Sequence, residues 1–401
     1  MNRNRRTYIV SLVVLLLSVA ILFGTVSSNV ETGDQETRFA NISHVMEVLA
    51  LVTTRHYDSI STFDLLRSYV SKGTINGMIS EATGDPYTRY MSQEASERFI
   101  SNIEGFFGGI GIVVGMQEDR LTIVSPIRGT PGERGGLRSQ DKIVEIDGKN
   151  TTYMSIDEAV GLMRGEPGTP VTITIQRGDE YIIVPIIRDI INVESVSETK
   201  MLDDQVGYLQ LTNFSHRTHQ ELLEALDTLA QEGMQALIMD LRFNPGGSFP
   251  AALHVVNEFQ ASGPIVYLED REGNRTGYDA SLAGTRPQMP IVVLINGGSA
   301  SSSEIVAGAL RDNQLATLVG TTTFGKGVVQ TVFTLRDGST LTITEQAYLT
   351  AGGYNIDKTG ITPDFVVELT EEEEVAIYLN DDEMEDIQLA KALEEIWSKL
   401  Q

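Results

Sequence analysis

The sequence contains no cysteine among its 401 residues. This absence excludes disulfide bonds, zinc–thiolate sites, cysteine nucleophiles and a lipid anchor attached through cysteine. Basic residues are also scarce, since 30 Lys and Arg are set against 55 Asp and Glu and the formal net charge is −25. No basic block is present that could neutralise a run of phosphates, so the composition argues against nucleic acid as a partner.

Histidine is nearly as rare. The five histidines are His44, His56, His216, His219 and His254. His216 and His219 form an H-x-x-H pattern, but this spacing lacks a recognised metal signature, and a solvated helix start explains it equally simply. We therefore predict no metal site and no cofactor.

The N-terminus combines positive charge with a long apolar run. Three arginines stand within the first six residues and precede nineteen residues from Tyr8 to Val26. As a helix this run would span about 28 Å, close to the hydrocarbon thickness of a bilayer. The next basic residue is Arg38, so the charge bias favours an inside N-terminus and an exported body. We predict a signal anchor in residues 1–30, single-pass in the cell membrane, with removal as a signal peptide as the alternative.

Three further regions follow, and together they predict a multidomain α/β protein. Residues 31–103 repeat apolar positions at helical spacing and predict an N-terminal helical region. Residues 104–190 change to short β-like runs with turns and one helix, for which Ser155 is a plausible N-cap. They predict a small β-rich binding module. Residues 191–401 alternate strand and helix patterns, end in a helix and predict an α/β core.

A serine-rich loop, "INGGSASSSEI", follows an apolar strand in this core. Its four serines are Ser299, Ser301, Ser302 and Ser303. A serine at a helix N-terminus lies beside unpaired backbone N–H groups, which can stabilise an oxyanion. Ser301-x-x-Glu304 also matches a capping box, so a purely structural loop stays open. No histidine lies near the loop in sequence, although folding could still form a Ser–His pair.

A second loop, "GTTTFGKG", resembles part of a P-loop. Gly320, Gly325 and Lys326 fit G-x-x-x-x-G-K, but Gly327 replaces the Ser or Thr that would hold magnesium. The next residues, "VVQTVFTL", predict a strand instead of the helix that a phosphate site needs. Both features argue against a nucleotide site.

Lys326 therefore needs another explanation. It is the only lysine between Lys200 and Lys358. Desolvation can lower a lysine pKa enough to give a neutral base, whereas arginine cannot deprotonate. Gln330 shares a strand face with Lys326, and its amide oxygen could orient the amine without adding charge. A surface lysine in a glycine turn remains the simpler alternative.

Several ordered motifs resemble one family. "NGGSASSSEIVAGALRDN" followed by "TTTFGKGVVQT" is similar to the protease core of the carboxyl-terminal processing (tail-specific) peptidases. "LIMDLRFNPGGSF" resembles the family's oxyanion-loop segment, "GITPDFVVEL" its closing strand, and "DPYTRYM" a signature of its N-terminal helical region. The small β-rich module resembles its PDZ domain. The resemblance covers about residues 36–369 and implies an α/β (crotonase-like) protease core.

The resemblance also implies roles for individual residues. The implied site consists of Ser301 as nucleophile, Lys326 as base, Gln330 as the lysine-orienting residue, backbone N–H groups of Ser302 and of Gly246 or Gly247 for the oxyanion, and Gly109, Ile110, Gly111, Ile112 and Arg164 of the PDZ domain for the substrate. The chain has Phe243 where the family often has a small residue, which leaves substrate preference open.

These observations predict an exported serine endopeptidase that forms an acyl-enzyme. It would bind proteins or peptides with apolar C-terminal tails through the PDZ domain. The helical region resembles the family's dimerising part, which implies a homodimer. The alternatives are an exported PDZ scaffold that no longer catalyses, and a P-loop ATPase.

Overall fold

The computed structural model describes residues 35–117, 120–127, 129–281, 288–378 and 385–400. The apolar run predicted as a membrane anchor lies outside these residues. Among the helices that are described, none is long and apolar enough to span a bilayer. The described chain divides into two compact units, one of residues 35–54 and 60–82 and the other of residues 55–59 and 83–400.

The first unit is helical. It contains α1 (Gln35–Arg55), α2 (Thr62–Lys72) and α3 (Ile75–Thr83), of which α1 and α3 end one residue beyond the unit. Helix α2 begins where the Ser61 side chain accepts a bond from the Phe63 N–H, and it ends at Gly73 with φ 70°. Phe63 and Val70 on this helix are 71% and 79% exposed. The unit therefore carries an apolar surface.

The second unit begins with a short strand and a helix, and continues into a β-rich module. The first two elements are β1 (Arg89–Met91) and α4 (Gln93–Glu104). The module consists of β2 (Phe106–Gly109), β3 (Ile112–Gln117), β4 (Arg120–Pro126), α5 (Pro131–Arg134), β5 (Lys142–Ile146), β6 (Lys149–Asn150), α6 (Ile156–Met163), β7 (Pro170–Arg177), β8 (Glu180–Ile187) and β9 (Asp189–Asn192).

The module is an antiparallel sheet in the order β3-β4-β5-β7-β8, with β6 on β5. Strand β7 alternates buried and partly exposed residues, because one face covers the module's own core and the other faces outward. Helix α6 begins at the predicted N-cap Ser155, which forms a reciprocal capping box with Glu158. Strands β2 and β9, the first and the last strand of the module in the chain, pair with each other.

The remaining elements form the α/β core. They are β10 (Val196–Met201), β11 (Val206–Leu211), α7 (Thr218–Gln231), β12 (Ala236–Asp240), α8 (Phe249–Asn257), β13 (Pro264–Asp270), β14 (Arg275–Asp279), β15 (Ile291–Ile295), α9 (Ser302–Asp312), β16 (Ala316–Gly320), β17 (Val328–Thr334), β18 (Thr340–Thr350), β19 (Phe365–Val366), α10 (Glu371–Tyr378) and α11 (Ile387–Leu400).

The central sheet has the order β10-β11-β12-β15-β16-β19 and is parallel except for β10. Strands β12 and β15 are buried along their whole length, which explains their continuous apolar sequences. The register aligns Met239 with Val293 and Val293 with Leu318. The loops that follow β12, β15 and β16 therefore start at the same edge of the sheet.

A second, antiparallel sheet has the order β1-β18-β13-β14, with β17 also paired to β18. Strand β1 joins it through the register of Arg89 with Thr342. The helical region predicted over 31–103 is thus divided, because the "DPYTRYM" segment forms part of the core. Strand β17 follows Lys326 directly, as the sequence predicted, so the P-loop arrangement of loop and helix is absent at this position.

Candidate active site

Ser301 stands immediately before α9 in an unusual backbone conformation, with φ 54° and ψ −112°. A residue other than glycine at positive φ is strained and requires support from its surroundings. The other three serines of the loop are buried, and their hydroxyls donate to carbonyl oxygens of the loop after β12. These bonds run from Ser299 to Leu241 (2.8 Å), from Ser302 to Gly247 (3.2 Å) and from Ser303 to Asn244 (2.8 Å). Ser301 is half-buried, and in the described chain its hydroxyl proton is donated to no other group.

Glu304 connects the serine loop to the lysine loop. One of its carboxylate oxygens, Oε2, accepts the Ser301 N–H at 2.8 Å and the Lys326 N–H at 3.0 Å. The other, Oε1, accepts the Gly325 N–H at 2.8 Å and the Thr323 hydroxyl at 2.6 Å. Glu304 is fully buried, and a buried carboxylate is tolerated only when such donors surround it. The backbones of Ser301 and Lys326 are therefore held by the same oxygen atom.

Tyr348 adds a fifth donor to this carboxylate. Its hydroxyl lies 3.3 Å from Glu304 Oε2 and 3.3 Å from the Ser301 carbonyl oxygen. Tyr348 comes from β18 and is itself buried, so the second sheet also supports the serine loop. Nothing in the sequence signalled this contact, and Glu304 was recognised only as part of a capping box.

The surroundings of Lys326 lower the pKa of its side chain. Burial lowers the pKa of its ammonium below the ordinary value, and the positive charge of Arg89 lowers it further, while Asp85 and Glu304 act in the opposite direction. Its Nζ lies 4.7 Å from the centre of the Tyr87 ring. Within the described residues this nitrogen makes no hydrogen bond or ion pair.

Gln330 lies on β17, four residues after Lys326. Its Nε2 donates to Thr344 Oγ1 at 3.3 Å, which fixes the side-chain amide against β18. A bond from this amide to Lys326 is not made in the structure, so the orienting role of Gln330 stays a prediction.

The glycines after β12 lie against the serine. Gly246 has φ 95°, and a Cβ added there would lie 2.9 Å from both the Ser301 Cβ and the Ser302 nitrogen. This position therefore needs glycine for its conformation and for its close approach. The Gly246 N–H already donates to Asn244 Oδ1 at 2.9 Å. Of the two predicted oxyanion donors in this segment, Gly247 is the one whose N–H does not donate to Asn244.

A buried ion pair fixes the start of the same loop. Arg242 is 3% exposed and forks to both oxygens of Asp386, at 3.1 and 2.7 Å, and to Asp240 at 3.0 and 2.6 Å. Asp386 caps the start of α11, so this helix is connected to the loop. The next residue, Phe243, has φ 60° and donates its N–H to Asn296 Oδ1 at 2.9 Å. These contacts fix the backbone path toward Gly246.

The predicted carboxylate-binding loop of the β-rich module joins β2 to β3. Gly109 ends β2, Ile112 begins β3, and Ile110 and Gly111 connect them. The Ile110 carbonyl accepts the Gly132 N–H, and the Gly111 carbonyl accepts the Ile127 N–H and the Thr130 hydroxyl. In the described chain β3 pairs only with β4, so it offers one open edge to an added strand.

Arg164 follows α6 directly and points to the same end of the module. Its guanidinium lies 4.1 Å from the centre of the Phe107 ring, and Phe107 belongs to β2. The Phe107 ring in turn lies next to Gly109. The predicted PDZ residues are therefore brought together at one end of the module.

The histidines take structural positions. His219 lies 2.7 Å from Glu258 Oε1, and His216 contacts the Glu104 carbonyl. Among the residues that the structure describes there is no cluster of three or more metal-ligating side chains. No histidine in this part of the chain is hydrogen-bonded to Ser301, whereas the Lys326 backbone shares the Glu304 carboxylate with Ser301.

Comparison with known proteins agrees with this geometry. The model of Peptidase family S41 matches residues 205–367, and a PDZ domain model matches residues 122–177. A carboxy-terminal-processing protease of Bartonella bacilliformis is 36% identical over 361 residues, which cover 88% of this chain and 81% of that protein. The carboxy-terminal processing protease CtpA of Bacillus subtilis is 36% identical over 378 residues, covering 92% and 78%.

A solved structure shows the same similarity. The photosystem II D1 C-terminal processing protease has a TM-score of 0.52 and 28% identity to this chain. The match covers 84% of this chain and 97% of that one. The chain therefore belongs to peptidase family S41, and it is a serine protease of the carboxy-terminal processing group with a PDZ domain.

Proposed function

We propose that this protease is an exported endopeptidase that cleaves with a dyad of Ser301 and Lys326 in a crotonase-like α/β core. The observation that carries the proposal is the shared carboxylate of Glu304, which binds the backbone N–H groups of both residues. The strained backbone of Ser301 and the lowered pKa of Lys326 support it.

In the proposed mechanism, the neutral amine of Lys326 takes the proton of the Ser301 hydroxyl as Oγ attacks the scissile carbonyl carbon. The resulting ammonium gives this proton to the leaving amine, and the acyl-enzyme remains on Ser301. Lys326 then deprotonates a water molecule, which attacks the ester carbonyl and releases the new C-terminus. Gln330 would keep the amine directed at the serine during both steps.

The oxyanion of each tetrahedral intermediate would accept bonds from the Ser302 and Gly247 N–H groups. Ser302 is the first residue of α9, whose N-terminal donors and dipole favour negative charge. Gly246 would serve by its small size, because its Cα lies against the nucleophile. Phe243, at positive φ in the same loop, would narrow the space for the substrate side chain.

The PDZ domain would select substrates by an apolar C-terminal tail. Backbone N–H groups of the segment Gly109–Ile112 would bind the terminal carboxylate, and the tail would pair with the open edge of β3. Arg164, stacked on Phe107 beside this segment, would report or stabilise the bound tail.

The membrane and a second copy of the chain are the remaining proposed partners. The apolar run in residues 1–30 would anchor the protein, or be removed after export. Phe63, Leu66 and Val70 lie on one face of α2 and are exposed, which supports homodimer formation through this helix. Light scattering of wild type and Phe63→Glu would test this, since only the wild type should be dimeric.

Cleavage of an unstructured protein with an apolar C-terminal tail tests the proposed activity. The full chain in detergent would be compared with Ser301→Ala and Lys326→Ala, and both variants should lose cleavage. Ser262→Ala and Lys358→Ala are controls that change another serine and another lysine of the core, and they should retain it. Full cleavage by Ser301→Ala or Lys326→Ala would refute the dyad.

A second substrate tests the PDZ assignment separately. The same protein with a charged Asp-rich tail should be cleaved more slowly through a higher KM, because an acidic tail fits neither an apolar pocket nor strand addition to β3. Equal KM values for both tails would refute tail recognition while leaving the dyad unaffected.

A further inference from the structure

The segment "DPYTRYM" has no role in the mechanism proposed above, yet it lies beside the lysine. Tyr87 of this segment faces Lys326, with the ring centre 4.7 Å from Nζ. This distance is typical of a cation–π contact. Tyr87 also lines a cavity of about 460 Å³, which includes Gly325 from the lysine loop.

A hydrogen-bonded cluster of Asp85, Thr88 and His56 holds the backbone of Tyr87. Asp85 Oδ1 accepts the Tyr87 N–H at 2.8 Å, and Asp85 Oδ2 accepts the Thr88 hydroxyl at 2.6 Å. His56 is 1% exposed and lies 3.3 Å from the same Oδ2. The Asp58 N–H donates to His56 Nδ1 at 3.0 Å, which fixes the ring with Nε2 against Asp85. Burial alone would raise the pKa of Asp85, but the bonds from His56 and Thr88 lower it far below its usual range.

This cluster is hydrogen-bonded to the protease core and, within the described residues, not to the lysine loop. The Thr344 N–H of β18 donates to Thr88 Oγ1 at 3.0 Å, and β1 continues the same sheet. The position of the Tyr87 ring is therefore set by β18, independently of where the Lys326 side chain lies.

Lys326 lacks other support at its charged end. Within the described residues, its Nζ makes no hydrogen bond or ion pair, and the Tyr87 ring contacts it. We propose that Tyr87 is a positioning residue whose ring holds the Lys326 amine in place for the reaction with Ser301. This inference rests on the function proposed above, in which Lys326 is the base.

The ring, and not the hydroxyl, performs this task. Burial raises the pKa of the Tyr87 hydroxyl, and the negative charges of Asp357, Asp85 and Glu304 raise it further. The hydroxyl therefore stays protonated wherever the protein works, and it cannot replace Lys326 as a base. A phenyl ring at position 87 should serve as well as a phenol.

The test compares Tyr87→Phe with Tyr87→Leu in the full-length protein, using the tail-bearing substrate. Tyr87→Leu removes the ring and should lower kcat by about tenfold or more with KM unchanged, because small displacements of a catalytic group are costly. Tyr87→Phe should keep kcat within about twofold of wild type, because a phenyl ring gives the Lys326 side chain the same surface to pack against. Tyr57→Leu is the matched control, since Tyr57 lines the same cavity and should leave kcat unchanged.

Two results would overturn the proposal: wild-type kcat in Tyr87→Leu, or an equal loss in Tyr87→Phe and Tyr87→Leu. Lys326→Ala separates this inference from the function on which it rests. If Lys326→Ala is active, the dyad is wrong and the inference falls with it. If Lys326→Ala is inactive while Tyr87→Leu is fully active, only the inference is wrong.

A direct measurement covers the case in which Tyr87→Leu does not fold. Reductive methylation with ¹³C-formaldehyde labels the lysine amines, and Lys326→Ala identifies the Lys326 resonance by its loss. Because Nζ lies over the Tyr87 ring, this resonance should be shifted upfield in the wild type and in Tyr87→Phe. A Lys326 resonance at the position of the exposed lysines would refute the contact.

Discussion

Glu304→Gln is the most informative single change in this site, because one carboxylate group is removed while size and shape are kept. The amide of Gln has one acceptor and one donor end. If its NH₂ faces Ser301 and Lys326, both backbone N–H groups lose their acceptor. If it faces Gly325 and Thr323, the hydroxyl can rotate to accept, but the Gly325 N–H cannot.

At least one buried N–H group is therefore left unsatisfied, at a cost of about 1–3 kcal/mol. The remaining bonds change from charged to neutral and lose about half of their strength. We expect Glu304→Gln to lower the free energy of unfolding by about 2–4 kcal/mol. Because the serine and lysine loops also lose part of their connection, kcat should fall at least tenfold.

Urea denaturation and steady-state cleavage measure the two effects separately. Glu221→Gln provides a matched control, because Glu221 accepts the Ser195 N–H at 2.6 Å and the Arg217 side chain at 2.8 Å, outside the active site. This control should lower stability and leave kcat unchanged. The reasoning is refuted if Glu304→Gln keeps wild-type kcat, or if Glu221→Gln loses as much activity as Glu304→Gln.

Three further changes probe the pKa of the base, the space beside the nucleophile and the buried ion pair. Arg89→Gln removes a positive charge that lowers the pKa of Lys326, so the pKa of Lys326 should rise. Because activity is lost as the pH falls through this pKa, the variant should become active only at higher pH than the wild type. An unchanged pH profile would contradict this. Gly246→Ala should reduce kcat by about a hundredfold or more, because the added Cβ lies 2.9 Å from that of the nucleophile; wild-type kcat would show that the loop can shift. Asp386→Asn leaves a buried guanidinium without a full partner and should lower the free energy of unfolding by about 3 kcal/mol in urea denaturation, whereas an effect below about 0.5 kcal/mol would show that Asp240 suffices.

Much of the α/β core could be predicted from the sequence because its strands are buried on both faces. "ALIMD" and "IVVLI" are continuous apolar runs, and they form β12 and β15 as expected. The loops after them were recognised as candidate sites because functional loops follow strand ends in such folds. The strand after Lys326 was likewise correct, since β-branched residues dominate it.

The second sheet and the role of Glu304 could not be predicted in this way. The pairing of β1 with β18 joins segments far apart in the chain, and no local pattern encodes that choice. Glu304 three positions after Ser301 gives the same signal whether it caps one helix or binds two loops. Its donors from Gly325, Lys326 and Tyr348 are brought to it only by the packing of three separate strands.

The ion pair between Arg242 and Asp386 has a consequence for the stage of synthesis at which the active-site loop is complete. Ser301, Lys326 and the glycine loop are all synthesised before Asp386, which lies at the start of the last described helix. Until that helix docks, Arg242 has Asp240 but lacks Asp386, the partner that connects the loop to the helix. The loop beside the nucleophile therefore receives its last ion-pair partner from a residue 144 positions after Arg242.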